Sequence, residues 1–157
     1  MKNENKINIG FKLLIGISII LVFLLLVGQT YSLVNYDMTV SLGLQESEEE
    51  VTKIGIAWIK AFALGDTVVY IPLLIAGILG LLKRERWGFY SMFGSLAISV
   101  YWPIVNLSAI YYGIDDLALN PDKYIFYSIL LPLISIYGLW GMWYLYKNQE
   151  ILENRKL

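Results

Sequence analysis

Residues 63–103 read ALGDTVVYIPLLIAGILGLL (63–82), KRERWG (83–88) and FYSMFGSLAISVYWP (89–103), two apolar runs joined by a short, mostly basic turn. A helix needs about 20 apolar residues to cross a hydrocarbon core of about 30 Å. Both runs reach that length once extended to their polar flanks, so the stretch reads as a hairpin of two membrane-spanning helices. Near the start of the first stands Asp66, the only carboxylate inside any apolar run of the chain.

Outward from this hairpin the same character continues. The chain has 157 residues, 57% of them hydrophobic, and a mean hydropathy of +0.59, which places it in the membrane class before any motif is read. Four segments are long and apolar enough to span: 11–33, 62–82, 89–112 and 124–146. The fold expected is an all-α integral membrane four-helix bundle formed by one domain, residues 1–157. Its connections are an outer loop over 35–61, a cytoplasmic turn over 83–88, an outer loop over 113–123 and a cytoplasmic tail over 147–157.

Orientation follows from charge. With the N-terminus in the cytoplasm, the inner segments hold Lys2, Lys6, Lys12, Lys83, Arg84, Arg86, Lys147, Arg155 and Lys156, against Lys53, Lys60 and Lys123 outside. Lys and Arg in short loops favour the cytoplasmic side, so both termini are expected inside a cell membrane. The acidic residues have the opposite bias: Glu46, Glu48, Glu49, Glu50, Asp115, Asp116 and Asp122 all fall outside. The first apolar run is longer than the 7 to 15 residues of a signal peptide and lacks a small-residue cleavage site; it reads as an uncleaved helix. Residues 53–61, apolar but carrying Lys53, Trp58 and Lys60, suit an interfacial segment or a helical extension above the membrane. The tail is expected to extend as a short helix or to fray.

A helix rises about 1.5 Å per residue, so polar residues can be placed by depth. Gln29, Asp66 and Asn106 each lie about 16 to 18 residues from the cytoplasmic end of their helix, and Ser128 falls at or slightly above that level. Polar side chains at membrane depth tend to face each other or a wet cavity. The candidate pocket residues are therefore Asp66, Asn106, Gln29 and Ser128, with Tyr70 one turn below Asp66 and with Tyr101 and Trp102 one turn below Asn106. For Asp66 three roles stay open: a cap at the start of its helix, a pocket-lining group, or an interhelical hydrogen-bonding group.

Small residues mark the cytoplasmic half: Gly77 and Gly80, Ser91 and Ser95, Gly138 and Gly141. Small side chains let helices approach closely in lipid, so this half is expected to be tight. Pro72, Pro103 and Pro132 can each kink a helix, and the expected shape is a cup that opens outward or sideways to the outer leaflet.

Absent residues narrow the chemistry. The chain has neither cysteine nor histidine, which removes disulfides, thiol redox chemistry, the usual zinc sites and haem ligation by these residues. No metal site and no cofactor are expected. With one candidate intramembrane carboxylate and no activated nucleophile, an enzyme is not expected either. Basic residues are few and divided among three segments, which argues against nucleic acid. Small multidrug transporters have the same helix count but use a glutamate in the first helix, where this chain has no acid. Translocator-type proteins share the tryptophan and tyrosine richness but have five helices.

Two functions remain. One is a binding or transport module whose pocket takes a lipid, or an amphipathic or hydrophobic small molecule or cation. The other is a structural or accessory subunit that packs its small-residue faces against another membrane protein or against itself. Membrane lipid is a partner in either case, and the KRER turn sets topology with some affinity for anionic head groups.

Overall fold

The computed structural model describes residues 9–149 and is all-helical, with no strand among the described residues. Lys2, Lys6, Arg155 and Lys156, and the tail beyond 149, lie outside them. Four helices are long and apolar enough to cross a membrane: α1 (Ile9–Val34), α3 (Glu48–Leu82), α4 (Arg86–Tyr112) and α5 (Pro121–Lys147). A short helix, α2 (Tyr36–Ser41), lies between α1 and α3. Successive long helices run antiparallel, and α3 packs against α1 and α4 while α4 packs against α3 and α5.

The expected loop over 35–61 is corrected. Helix α3 begins at Glu48, so residues 53–61 form its first turns, the helical extension rather than a segment lying at the interface. The local reason is a capping box: the Ser47 N–H donates to Glu50 Oε2 at 2.9 Å, which satisfies a donor that a helix start leaves free. Gly65 is helical at φ −57° and ψ −45°, so the helix runs through it.

Helix α3 is regular except at two places. Thr52 has φ 65° and ψ 168°, a conformation nearly restricted to glycine that costs about 1 to 3 kcal/mol for other residues. The interruption turns the Glu50 carbonyl out of the helix, where it accepts from the Ala118 N–H at 2.9 Å. Residues 66–70 form one turn of π-helix, in which Ile71 N–H reaches back to the Asp66 carbonyl. Pro72 explains it: proline has no N–H to give, and its ring crowds the carbonyl four residues earlier. A second π turn, Leu26–Thr30, lies beside it on α1, with the Gln45 side-chain amide donating to the Gly28 carbonyl at 2.9 Å.

At the end that carries the α3–α4 turn the packing is close. A Cβ on Gly80 would lie 2.3 Å from Gly88 Cα, and one on Gly77 would lie 2.8 Å from Met92 Cα. Gly138 meets the Leu96 carbonyl, and Gly141 meets the Leu96 and Leu14 side chains. Ser95 is fully buried and bonds the Met92 carbonyl at 2.8 Å, whereas Ser91 is half-buried. The turn itself is a Schellman motif, Glu85 N–H to Gly80 carbonyl and Arg84 N–H to Leu81 carbonyl, with Arg84 at φ 55°. Helix α1 is tied to α5 through long side chains: Tyr137 Oη donates to the Leu14 carbonyl at 3.0 Å and pairs with Ser18 Oγ at 2.8 Å.

Outward-facing positions are apolar. On α5, Ile125, Ile129, Leu133, Ile136, Leu139 and Trp143 are all exposed at intervals of three or four residues, a stripe suited to acyl chains. Trp87 and Tyr90 at one end of α4, and Tyr111 and Tyr112 at the other, are exposed about 36 Å apart along the helix, the placement of interfacial aromatics.

Replacing Gly80 or Gly88 by Ala is expected to destabilise the bundle by about 1 to 3 kcal/mol or more, measured by thermal unfolding in detergent. Gly16→Ala, whose Cβ would meet nothing within 4 Å, is expected to stabilise by about 0.5 to 1 kcal/mol, the difference in helix propensity between the two residues. Thr52→Gly is expected to stabilise by about 1 kcal/mol, the reverse of the loss of about 1 kcal/mol that glycine causes in a regular helix interior.

Candidate functional site

The first long stretch of α3 places Trp58, Phe62, Gly65, Asp66 and Val69 on one face, at helical spacing. Opposite them α4 contributes Ile98, Tyr101 and Trp102. Between the two helices these residues, with Ala61 and Tyr70, line a groove of about 360 Å³. Its walls are aromatic, and the backbone at Gly65 leaves open space, since a Cβ there meets nothing within 4 Å. Trp58 and Tyr101 are about two-thirds exposed, at 65% and 67%, and stand at the rim. The groove opens on the flank of the bundle, between neighbouring helices.

Asp66 lies at the inner side of this groove with only 4% of its surface exposed. It is not a helix cap: it sits inside a continuous helix at φ −62° and ψ −42° and makes no capping bond. Nor is it an interhelical hydrogen-bonding group through Oδ2, which is buried and has no partner among the described residues.

The reason lies in where the neighbouring protons go. Ser99 Oγ donates to the Ser95 carbonyl at 3.0 Å, so in its 2.6 Å contact with Tyr70 the tyrosine is the donor. Thr67 Oγ1 donates to the Ala63 carbonyl at 2.7 Å, so in its 2.9 Å contact with Thr30 it is Thr30 that donates. Each of these four hydroxyls has one proton, and each proton is committed to another hydroxyl or to backbone. None is left for the carboxyl. Leaving a buried polar atom without a partner costs on the order of 1 to 3 kcal/mol.

Of the residues expected to form a pocket, Asp66, Tyr70, Tyr101 and Trp102 come together here. Gln29, Asn106 and Ser128 do not line the groove. Asn106 turns back on its own helix and donates Nδ2–H to the Trp102 carbonyl at 2.9 Å. Ser128 is exposed on α5, and Gln29 sits half-buried in the π turn of α1. Trp58 lies outside the expected span 62–82, and Phe62 and Gly65, which lie inside it, carry no polar side-chain atom for depth matching to find. The signal that finds them is the 3.6-residue periodicity of 58, 62, 65, 66 and 69 running straight through that boundary.

The mouth of the bundle beside this groove is closed by a polar cap. Glu46 is 9% exposed and accepts a hydrogen bond from Tyr127 Oη, while its backbone carbonyl accepts from Tyr36 Oη at 2.8 Å. Burial, and then the Glu46 and Glu50 carboxylates, push the Tyr36 hydroxyl up to about 12, so it keeps its proton for this bond. Glu50 Oε2 accepts from Lys123 Nζ at 2.7 Å in a half-buried ion pair. These contacts join Tyr36, the segment before α3 and the first turn of α3 to the start of α5.

Among the described residues no group of three or more His, Cys, Asp or Glu is placed to hold a metal ion. Comparison with known protein families, with characterised proteins and with solved structures finds no match.

Asp66→Leu is expected to raise the stability of the bundle by about 1 to 3 kcal/mol, since it removes an unsatisfied buried acceptor without removing a bond. Thermal unfolding of the two proteins side by side measures this; a loss of stability on substitution would show that the carboxyl is bonded after all.

Proposed function

We propose that this chain is a binding or transport module of the membrane whose α3–α4 groove receives an amphipathic or hydrophobic small molecule or a lipid from the side. One observation supports this above the others: Asp66, a buried carboxylate with one oxygen unpartnered among the described residues, lines a space walled by Trp58, Phe62, Tyr70, Tyr101 and Trp102. Apolar walls with a few convergent polar groups are the common form of small-molecule sites. An ionisable residue at membrane depth is costly and tends to mark a functional path.

The rival reading, an accessory subunit docking through its small-residue faces, draws less support. Gly77, Gly80, Gly138 and Gly141 are all packed against helices of the same chain, so those faces are occupied. The proposal places both termini in the cytoplasm of a cell and the segments 35–47 and 113–120 outside, as the Lys and Arg distribution favours.

The groove is tested by filling it. Gly65→Leu and Ile98→Trp occupy its volume without touching the close-packed end. Native mass spectrometry of the detergent-extracted protein is expected to show a bound small molecule or lipid that both variants lose; retention of the same adduct by both would place it elsewhere. For the orientation, the absence of cysteine allows single introduced thiols: a membrane-impermeant maleimide on intact cells is expected to label Asp116→Cys and spare Asn148→Cys, and the opposite pattern would invert the topology.

A further inference from the structure

We infer that the molecule recognised in the groove is a hydrophobic monovalent organic cation, an amine protonated at nitrogen, whose N–H group bonds the Asp66 carboxylate. This rests on the reading of the α3–α4 groove as a binding site and adds the charge and chemistry of its occupant.

The argument starts from what the groove lacks. Its lining contains one carboxylate and no Lys or Arg. Lys60 is the nearest basic residue along α3, and its Nζ lies over the Tyr36 ring at 4.9 Å from the centroid. That ammonium is engaged on another face of the helix. The hydroxyls around Asp66 give their protons elsewhere. A carboxyl group enclosed in an apolar setting is poorly stabilised until a donor or an opposite charge reaches it. Since the described residues supply neither, the ligand has to bring both, and a protonated amine does so in a single charge-assisted bond.

The walls favour the same class. The faces of tyrosine, tryptophan and phenylalanine attract a cation within about 6 Å of the ring centroid, most strongly where water is excluded. They also cover the apolar remainder of the molecule. An inorganic divalent ion is poorly served, because it needs six or more oxygen ligands, whereas Asp66 is the one carboxylate that lines this groove. A single carboxylate matches a single positive charge. The volume of about 360 Å³ lies in the range of about 300 to 1,000 Å³ seen for small-ligand sites. An anion would be repelled by Asp66 and would find no basic partner.

The test uses three ligands of one shape, 4-phenylbutylamine, 4-phenylbutanol and 4-phenylbutanoate, titrated calorimetrically into the full-length protein in zwitterionic phosphatidylcholine nanodiscs. The amine is expected to bind at least tenfold more tightly than the alcohol, and the carboxylate not at all. Asp66→Asn, close to isosteric, is expected to remove the amine's advantage and leave the alcohol's affinity unchanged, while Gly65→Leu abolishes binding of both. Equal affinities for amine and alcohol, insensitive to Asp66→Asn but lost in Gly65→Leu, would overturn the cation and leave the groove as a binding site. No binding of any of the three to the native protein would overturn both. The comparison of amine with alcohol is made on the native protein, so it does not depend on how the variants fold.

Discussion

The backbone contact between Gly80 and Gly88 governs this structure. No side chain separates α3 from α4 there, so the two helices leave their shared turn in contact and stay so through Gly77 and Met92. Aromatic side chains take over farther along. Tyr70 reaches across to Ser99, and beyond it Trp58, Phe62, Tyr101 and Trp102 line the space between the helices, with Trp58 and Tyr101 at its rim. Helices held together at one end by small residues and kept apart at the other by large ones necessarily enclose a wedge of space, and the groove is that wedge.

Lipid surroundings make the remainder a problem of hydrogen-bond accounting. No solvent is present at membrane depth to satisfy a stray donor or acceptor, and the chain meets this with short local chains of bonds. Ser99 and Ser95, Thr67 and Ala63, Ser18 and Tyr137, and Asn106 and Trp102 each close a small account between a side chain and a nearby partner. The π turns belong to the same economy: one follows from Pro72, and the other exposes the Gly28 carbonyl to the Gln45 amide. Against that background Asp66 Oδ2 is, with Tyr144 Oη, one of the buried side-chain atoms without a hydrogen-bond partner among the described residues.

At the opposite end of the groove a different principle operates. The segment 44–50 is fastened by Gln45 to α1, by Glu46 to α5 and by Glu50 to the loop at Ala118 and to Lys123. These ties are what hold Thr52 in a backbone conformation that threonine does not choose. The acidic run ESEEE therefore divides in two: Glu46 and Glu50 are structural, bonded and largely enclosed, whereas Glu48 remains exposed in a long contact of 3.7 Å with Lys53.

The amino-acid sequence alone determined that the chain is a set of four apolar helices, because length and hydropathy are properties of contiguous residues. It also marked Asp66 as the group out of place, and Gly77, Gly80, Gly138 and Gly141 as small residues at helical spacing. Helix starts were less legible, since Ser47 and Glu50 signal a cap only if the polar run that contains them is read as helix. What only tertiary structure decided is which way equal-height side chains point. Gln29, Asp66 and Asn106 were matched by depth, yet depth fixes only one coordinate of three. The rotation of each helix is set by its neighbours, through Gly80 on Gly88, Tyr137 on Leu14 and Tyr70 on Ser99, and that rotation is what turned Asp66 into the groove and folded Asn106 back onto Trp102.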